Sequence, residues 1–305
     1  MERPRPALAR FALALLLAVG CAGARPVPRD TGQLVYWEVE SATNPGARAF
    51  LLGSIHVASP DLVLDPRIRD GFEASDALVI EVDLEAADGA ATQQWLTERA
   101  VLPEGQTLAS VLSHRTWRRL ERFLRAHQMP PELFQWYEPW FLVSVVPTVL
   151  LAERGAEPGA GIDQRFLDLA GGRMEIVALE TVEFQLDLLA DVPRPLAIRM
   201  LEEMLEDVGA TRDVTQGIYD AWSLGDLDYL EALTLGETDD PELAEFQERT
   251  FFARNRTMAE RIDALLGEPR TWFVVVGAAH MAGDEGIPEL LEGRGHRVTR
   301  IERSP

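Results

Sequence analysis

Two histidines occupy matching positions in this sequence. Residues 50–56 read FLLGSIH and residues 274–280 read VVVGAAH, so His56 and His280 each follow an apolar run, a glycine and two small or apolar residues. A single Gly-x-x-His after a strand is weak evidence of function, but two copies in equivalent settings favour a shared role. Paired imidazoles can bind a divalent metal or transfer protons. The other histidines lie in predicted helices or loops with no acidic strand end beside them and are predicted to be surface or structural residues: His114, His127 and His296.

Two carboxylates extend the pattern, because Glu81 and Glu180 each close a predicted strand. The carboxyl ends of parallel strands meet at one edge of a sheet, so we expect His56, His280, Glu81 and also Glu180 to converge there. Two imidazoles with one or two carboxylates suit Zn, Mn, Fe or Co and leave room for water. Such an ion would support hydrolysis at neutral pH. A metal-free site, with one histidine as a general base held by a Glu and the other stabilising the oxyanion, fits the spacing equally well.

The candidate residues other than the histidines also have a purely structural interpretation. Glu81 or Glu180 could cap a helix or face solvent, and Asp163 could be the N-cap of a predicted helix over 164–170. Arg254 could be a solvated helix charge. Its functional interpretation is a clamp for a carboxylate or phosphate of a substrate.

The N-terminus predicts export. Three arginines within the first ten residues precede the apolar run 11–19, which is the pattern of a secretory signal and is too short to span a membrane. Residues 18–21 read AVGC and resemble the lipobox of bacterial lipoproteins, so Cys21 is predicted to be lipidated rather than incidental. Ala22 in place of Asp indicates the outer membrane, facing the periplasm. The predicted organisation is a signal peptide over 1–21, a flexible tether over 22–32 and one domain over 33–303.

Composition excludes some functions. The formal net charge of -21 makes nucleic acid an improbable partner, because phosphate binding needs a basic surface. Cys21 is the only cysteine, so no disulfide forms within the chain and a metal site must use His, Asp or Glu.

The apolar patterns predict an α/β fold. Strands over 34–39 and 47–52 form a hairpin around the turn 44–46, and further strands are predicted over 77–82, 175–179, 271–276 and 297–301. Helical patterns dominate roughly 86–160 and 186–266, including segments over 186–207 and 241–266 and an apolar core helix near 136–151 interrupted by its prolines. We therefore expect a mostly parallel or mixed sheet built from two related strand-GxxH halves, flanked by helices, with a large helical insertion.

Several segments together resemble the TraB/GumN family. They are LGSIHV at 52–57, VIEVD at 79–83, GID at 161–163, LET at 179–181, RN at 254–255 and VGAAHMAG at 276–283. The resemblance runs from about residue 34 to 301, in the order the family has. Ser54 stands where Thr is common.

The resemblance implies an active site formed by His56, Glu81, Arg254 and His280. The family is similar to the TIKI metalloproteases, which use Mn or Co, and more distantly to erythromycin esterases and ChaN-type haem-binding lipoproteins. The leading hypothesis is a lipid-anchored, metal-dependent hydrolase that acts on an unidentified peptide or small molecule. Among hydrolases, a peptidase is the favoured interpretation. His56, His280 and Glu81 would hold the metal and Arg254 would orient substrate. Glu180 and Asp163 are predicted supporting groups. The alternatives are a lipoprotein that sequesters a peptide or haem without turnover, and a metal-free His/Glu esterase.

Overall fold

The computed structural model describes residues 27–83, 89–236 and 238–305. The predicted signal peptide, Cys21 and residues 22–26 of the tether lie outside these ranges. In the described end of the tether, Thr31 donates its backbone N–H to the carbonyl of Leu224 (3.1 Å), and the backbone N–H of Arg29 donates to Asp226 Oδ2 (2.7 Å). Within the described ranges, no helix is both long enough and apolar enough to cross a membrane.

A six-stranded mixed sheet forms the centre of the fold. Together with a separate two-stranded sheet, the described strands are β1 Gln33–Glu40, β2 Arg48–Ser54, β3 Val57–Ala58, β4 Ala77–Val82, β5 Glu157–Pro158, β6 Glu175–Glu180, β7 Thr271–Gly277 and β8 Arg297–Glu302. The sheet order is β6-β4-β7-β2-β1-β8, and β3 pairs separately with β5. Strands β6, β4, β7 and β2 are parallel to one another, whereas β1 runs antiparallel to both of its neighbours. The predicted α/β class and mixed sheet are confirmed.

The local sequence explains these strands. β4 and β7 are nearly continuous apolar runs, as expected for parallel strands buried on both faces. The predicted hairpin is β1 with β2, paired so that Tyr36 lies opposite Leu52. Its turn is closed by Ala47, which donates its backbone N–H to the Asn44 carbonyl (2.9 Å).

Helices cover the sheet and build a separate helical layer. They are α1 Pro66–Glu73, α2 Gly89–Arg99, α3 Leu108–Val111, α4 His114–Ala126, α5 Pro131–Phe134, α6 Pro139–Ala152, α7 Ile162–Ala170, α8 Val182–Ala190, α9 Arg194–Glu206, α10 Val208–Leu224, α11 Leu227–Thr234, α12 Pro241–Gln247, α13 Ala253–Leu265 and α14 Ile287–Gly293. A π-helical turn, Glu248–Phe252, joins α12 to α13, and a 3-10 turn, Ala278–Met281, follows β7.

Three helical details differ from the sequence expectation. The segment predicted over 186–207 is two helices, because Pro193 lacks an N–H and stands immediately before α9. Pro147 does not interrupt α6, which continues through it with most of its residues buried. The segment predicted over 241–266 is continuous, but it contains the π-helical turn.

Two large apolar cores and one small cluster, Val57 with Leu151 and Ala156, lie among the described residues. One lies on the sheet and includes α1, α7, α10, α11, α13 and α14. The other lies within the helical middle, chiefly between α2, α4, α6, α8 and α9. The helical middle is therefore a second packed layer, and parts of it reach over the carboxyl edge of the sheet.

Candidate active site

The candidate residues lie along one edge of the sheet. The neighbouring strands β6, β4, β7 and β2 bring to this edge, in that order, Glu180, Glu81, His280 and His56. The two glutamates are on the strands themselves, and each histidine lies just beyond the end of its strand. Parallel pairing thus collects side chains from four distant parts of the chain, as the sequence predicts.

Gly277 marks the point where these groups meet. A methyl group added to Gly277 would lie 3.4 Å from both Glu81 Oε2 and His56 Nε2, and 3.5 Å from His280 Cδ2. The backbone N–H of Gly277 also donates to Glu81 Oε2 (3.0 Å). The absence of a side chain therefore keeps open the space that two imidazoles and a carboxylate share.

His56 is oriented by a carboxylate. Its Nδ1 lies 2.9 Å from Asp163 Oδ2, and Asp163 Oδ1 accepts a hydrogen bond from the Ser54 hydroxyl (2.7 Å). Burial disfavours the imidazolium, but the charge and hydrogen bond of Asp163 outweigh it and raise the pKa of His56 to about 9. The interpretation of Asp163 as an N-cap is wrong, because Gly161 occupies that position of α7.

Close backbone packing holds this histidine in place. A Cβ on Gly161 would lie 2.3 Å from the His56 carbonyl oxygen, so only glycine fits there. The next residue, Ile162, donates its N–H to the Ile55 carbonyl (3.0 Å). On the other side, the indole of Trp222 donates to the Gly53 carbonyl (2.7 Å). Helices α7 and α10 therefore both fix the first Gly-x-x-His segment.

His280 is oriented by an amide instead. Its Nδ1 lies 2.5 Å from Asn255 Oδ1, while Asn255 Nδ2 donates to the Glu285 carbonyl (2.8 Å). An amide oxygen can only accept, so Nδ1 carries the proton and Nε2 keeps its lone pair. Burial, together with the nearby Arg254 cation, lowers the pKa of His280 to about 3. The ring is therefore neutral at physiological pH.

Arg254 is buried in an ion cluster and is not a solvated helix charge. Its Nη2 donates to Glu81 Oε1 and, at 2.7 Å, to Glu180 Oε2, and its Nε donates to Glu180 Oε1 (2.9 Å). Its Nη1 donates to the Thr250 carbonyl (2.9 Å). Gln185 bridges the same two carboxylates through Nε2, at 2.7 and 3.0 Å. The guanidinium therefore holds the two glutamates rather than standing open to solvent.

This cluster fixes the charge of Glu81. Burial alone would raise the pKa of its carboxyl group, but the adjacent Arg254 guanidinium holds that pKa well below its usual range. Glu180, which could have faced solvent or capped a helix, is instead 7% exposed and paired with Arg254. Arg254 therefore pairs with both carboxylates.

The imidazole nitrogens and the carboxylate oxygen are atom types that bind divalent ions. His56 Nε2 and His280 Nε2 have no hydrogen-bond partner among the described residues, and each ring is anchored through Nδ1, as metal-binding histidines usually are. Among the described residues, the Gly277 N–H is the only donor to Glu81 Oε2, which leaves this oxygen a second lone pair. As arranged here, the described residues contain no group of three or more His, Cys, Asp or Glu side chains close enough to hold a metal ion.

A cavity opens over these groups. It has a volume of about 990 Å³, which includes the open space at its mouth. His56, Glu81, Arg254 and His280 lie at its floor. Its walls come from α6 and α8 of the helical middle, from α10 and α11, which pack on the sheet, and from the π-helical turn.

The other histidines lie outside this cavity. His127 Nε2 contacts Glu153 Oε1 (2.9 Å), and His296 Nε2 contacts Asp263 Oδ1 (2.9 Å). His114 begins α4 on the surface. Their positions agree with the surface and structural roles expected from the sequence.

Sequence reasoning missed three supporting side chains. Ser54 and Asn255 were visible only as members of motifs, and nothing in the sequence distinguishes Gln185 from other helical glutamines. Ser54 stands where the second Gly-x-x-His segment has Ala278, and this difference was a signal that the two copies are not chemically identical.

Comparison with known proteins identifies relatives. The model of the TraB/PrgY/gumN family matches residues 35–300. "Uncharacterized protein YbaP" of Escherichia coli (strain K12) is 26% identical over 258 residues, which cover 84% of this chain and 92% of the relative. "Uncharacterized protein YbaP" of Shigella flexneri is 25% identical over the same length and coverage. No solved structure matches the chain.

Proposed function

The chain belongs to the TraB/PrgY/gumN family, and we propose that it is a metal-dependent hydrolase acting on a carbonyl compound such as a peptide. One observation carries the proposal. Two anchored imidazoles and an ionised carboxylate surround the space beside Gly277, at the floor of a cavity. Neighbouring side chains hold the two imidazoles and the carboxylate in these orientations.

His56, His280 and Glu81 would hold the ion through Nε2, Nε2 and Oε2. Two histidines and one carboxylate form a ligand set that leaves open positions for water and substrate. A divalent ion bound there supplies Lewis acidity and lowers the pKa of a bound water.

The remaining groups position these three. Asp163 and Asn255 accept from Nδ1 and set the ring orientations, which leaves Nε2 of each ring as the atom that would bind the ion. At His56 the ion would displace the Nε2 proton. Arg254 and Gln185 fix the Glu81 carboxylate in one orientation. Orientation by such partners commonly changes metal affinity or activity by about 10–100-fold.

A metal-free hydrolase is a second candidate, favoured by the opposite pKa shifts of the two histidines. With pKa values of about 3 and about 9, His280 is a neutral base and His56 a cationic acid at neutral pH. Pairs of groups whose environments separate their pKa values commonly divide general-base and general-acid roles. His280 would then take a proton from water and His56 would donate one to the leaving group.

The test measures metal content and hydrolysis on the purified full chain. We expect the wild type to bind Mn or Co at one ion per chain, and His280→Ala to lose it. Gly277→Ala places a methyl group between the ligands without deleting one, at a φ that alanine adopts, and should also lose the ion. His114→Ala and Gly293→Ala, both remote from the cavity, are the matched controls.

The outcomes separate the candidates. Hydrolysis that survives thorough chelation supports the metal-free mechanism and contradicts the metal-dependent one. Peptide recovered intact by mass spectrometry, although tightly bound, contradicts both and supports a sequestering protein.

The sequence also supports a membrane location, and we propose that Cys21 carries the lipid anchor. Its position at the end of the apolar run supports this proposal. Cys21→Ser should move the chain from the membrane fraction to the soluble fraction. An unchanged distribution would contradict lipidation at this residue.

A further inference from the structure

The walls of the cavity differ in chemistry from its floor. Above the histidines, the surface includes Leu188 of α8, Ile218 of α10, Leu230 of α11 and Phe251 of the π-helical turn, together with the hydroxyl-bearing side chains Thr215, Tyr219, Thr234 and Thr250. The hydroxyls of Thr215 and Thr234 donate to backbone carbonyls of their own helices. Ile218, Leu230 and Phe251 are buried, and Leu188 is half-buried. A ligand that reaches the floor must therefore lie against aliphatic and aromatic carbon.

The walls are also uncharged. Among the described residues that line the cavity, the charged or ionisable groups other than Tyr219 are His56, Glu81, Arg254 and His280, all at the floor. Arg254 is paired with two glutamates and His56 with Asp163. Among the described lining residues, no side-chain cation is left unpaired to bind a charged substituent of the substrate along the wall, and an isolated charge is costly to desolvate.

The apolar wall begins directly beside the reacting groups. The ring of Phe251 lies 5.6 Å from that of His280, centroid to centroid, at an angle of 47°. A carbonyl at the floor would therefore place its nearest substituent against Phe251 and the neighbouring aliphatic side chains. Specificity for that substituent depends on shape and hydrophobicity rather than on an ion pair.

We propose that this cavity selects carbonyl substrates bearing a bulky, uncharged apolar group, aliphatic or aromatic, next to the bond that is hydrolysed. The inference rests on the proposed function and narrows its substrate class. In an apolar pocket, one additional methylene group on a substrate changes the ratio of kcat/KM values between two substrates by about 10–200-fold. Even the lower end of this range makes acyl-chain length a measurable determinant of rate.

The test uses a substitution at Leu188, which is half-buried, so a charge there does not enter the core. Leu188→Glu introduces a carboxylate into the cavity wall. Leu169→Glu makes the same change on an exposed leucine of α7 that does not line the cavity. The full chain is tested with the neutral fluorophore N-phenyl-1-naphthylamine and with p-nitrophenyl acetate, hexanoate and hemisuccinate.

We expect the wild type and Leu169→Glu to bind the fluorophore equally and Leu188→Glu to bind it at least 10-fold more weakly. We also expect kcat/KM for the hexanoate to exceed that for the acetate by 10-fold or more, and the hemisuccinate to be the poorest ester. Equal rates for acetate and hexanoate, unaffected by Leu188→Glu, would overturn the inference while leaving the hydrolase proposal intact. Fluorophore binding that depends on Leu188, without cleavage of any ester, would support the apolar cavity and count against the hydrolase.

Discussion

At the scale of the residue, the two Gly-x-x-His copies have different chemical environments. His56 faces an aspartate that favours its charged form, whereas His280 faces an asparagine and lies near a buried arginine. Equivalent backbone positions therefore carry imidazoles whose pKa values are shifted in opposite directions. The side chains that determine this difference lie outside the two Gly-x-x-His segments.

Replacing the aspartate tests its effect on His56. Asp163→Asn removes the negative charge that stabilises the imidazolium, so the pKa of His56 should fall from about 9. Histidine NMR signals followed against pH in chelator-treated protein measure this change. Asp168→Asn, an exposed substitution on the same helix, is the control and should leave the His56 titration unchanged.

The same variant has a consequence for stability. Because the folded-state pKa of His56 lies above the ordinary histidine pKa of 6.5, the proton bound to His56 stabilises the wild type fully below about pH 6.5. That contribution is lost as pH rises through about 9. The free energy of unfolding of Asp163→Asn should depend less on pH across this window. A His56 pKa that stays near 9 in the variant would show that Asp163 is not the cause of the shift.

At the scale of the element, α13 ties the sheet to the helical middle through Arg254. The guanidinium bridges Glu81 on β4 and Glu180 on β6, and it also donates a hydrogen bond to the carbonyl of Thr250 in the π-helical turn. π-Helical turns are rare and occur often at functional sites. Here the turn brings Phe251 to the cavity wall and leads into the helix that carries Arg254.

Removing this arginine should be costly. Arg254→Met leaves two buried carboxylates without their cation, and breaking a buried ion pair in this way commonly costs about 3–5 kcal/mol. Arg256→Met on the same helix removes exposed pairs with Glu248 and Glu285 and should cost at most about 1 kcal/mol. Urea unfolding of both variants measures the difference. Equal losses would mean that the buried cluster is no more important for stability than surface charge.

At the scale of the whole molecule, the site is assembled from two layers. The carboxyl edge of the sheet supplies the ionisable groups, and helices from both apolar cores supply the surrounding walls. Neither layer alone forms a cavity: the carboxyl edge of the sheet would be open to solvent without α6, α8, α10 and α11. This division explains how a polar floor and apolar walls occur in one pocket.

The sequence by itself determined the α/β class, the hairpin, the parallel strands and the convergence of His56, Glu81, Glu180 and His280. These follow from local patterns, because buried parallel strands are continuous apolar runs whose carboxyl ends share one edge. Only the tertiary structure decided that Arg254 is buried between two glutamates, that Asp163 and Asn255 give the histidines opposite pKa shifts, and that helices from both apolar cores form the surrounding walls. The physical reason is that charge state and burial depend on neighbours brought from distant parts of the chain, such as Gln185 beside Glu81. Residue spacing carries no information about them.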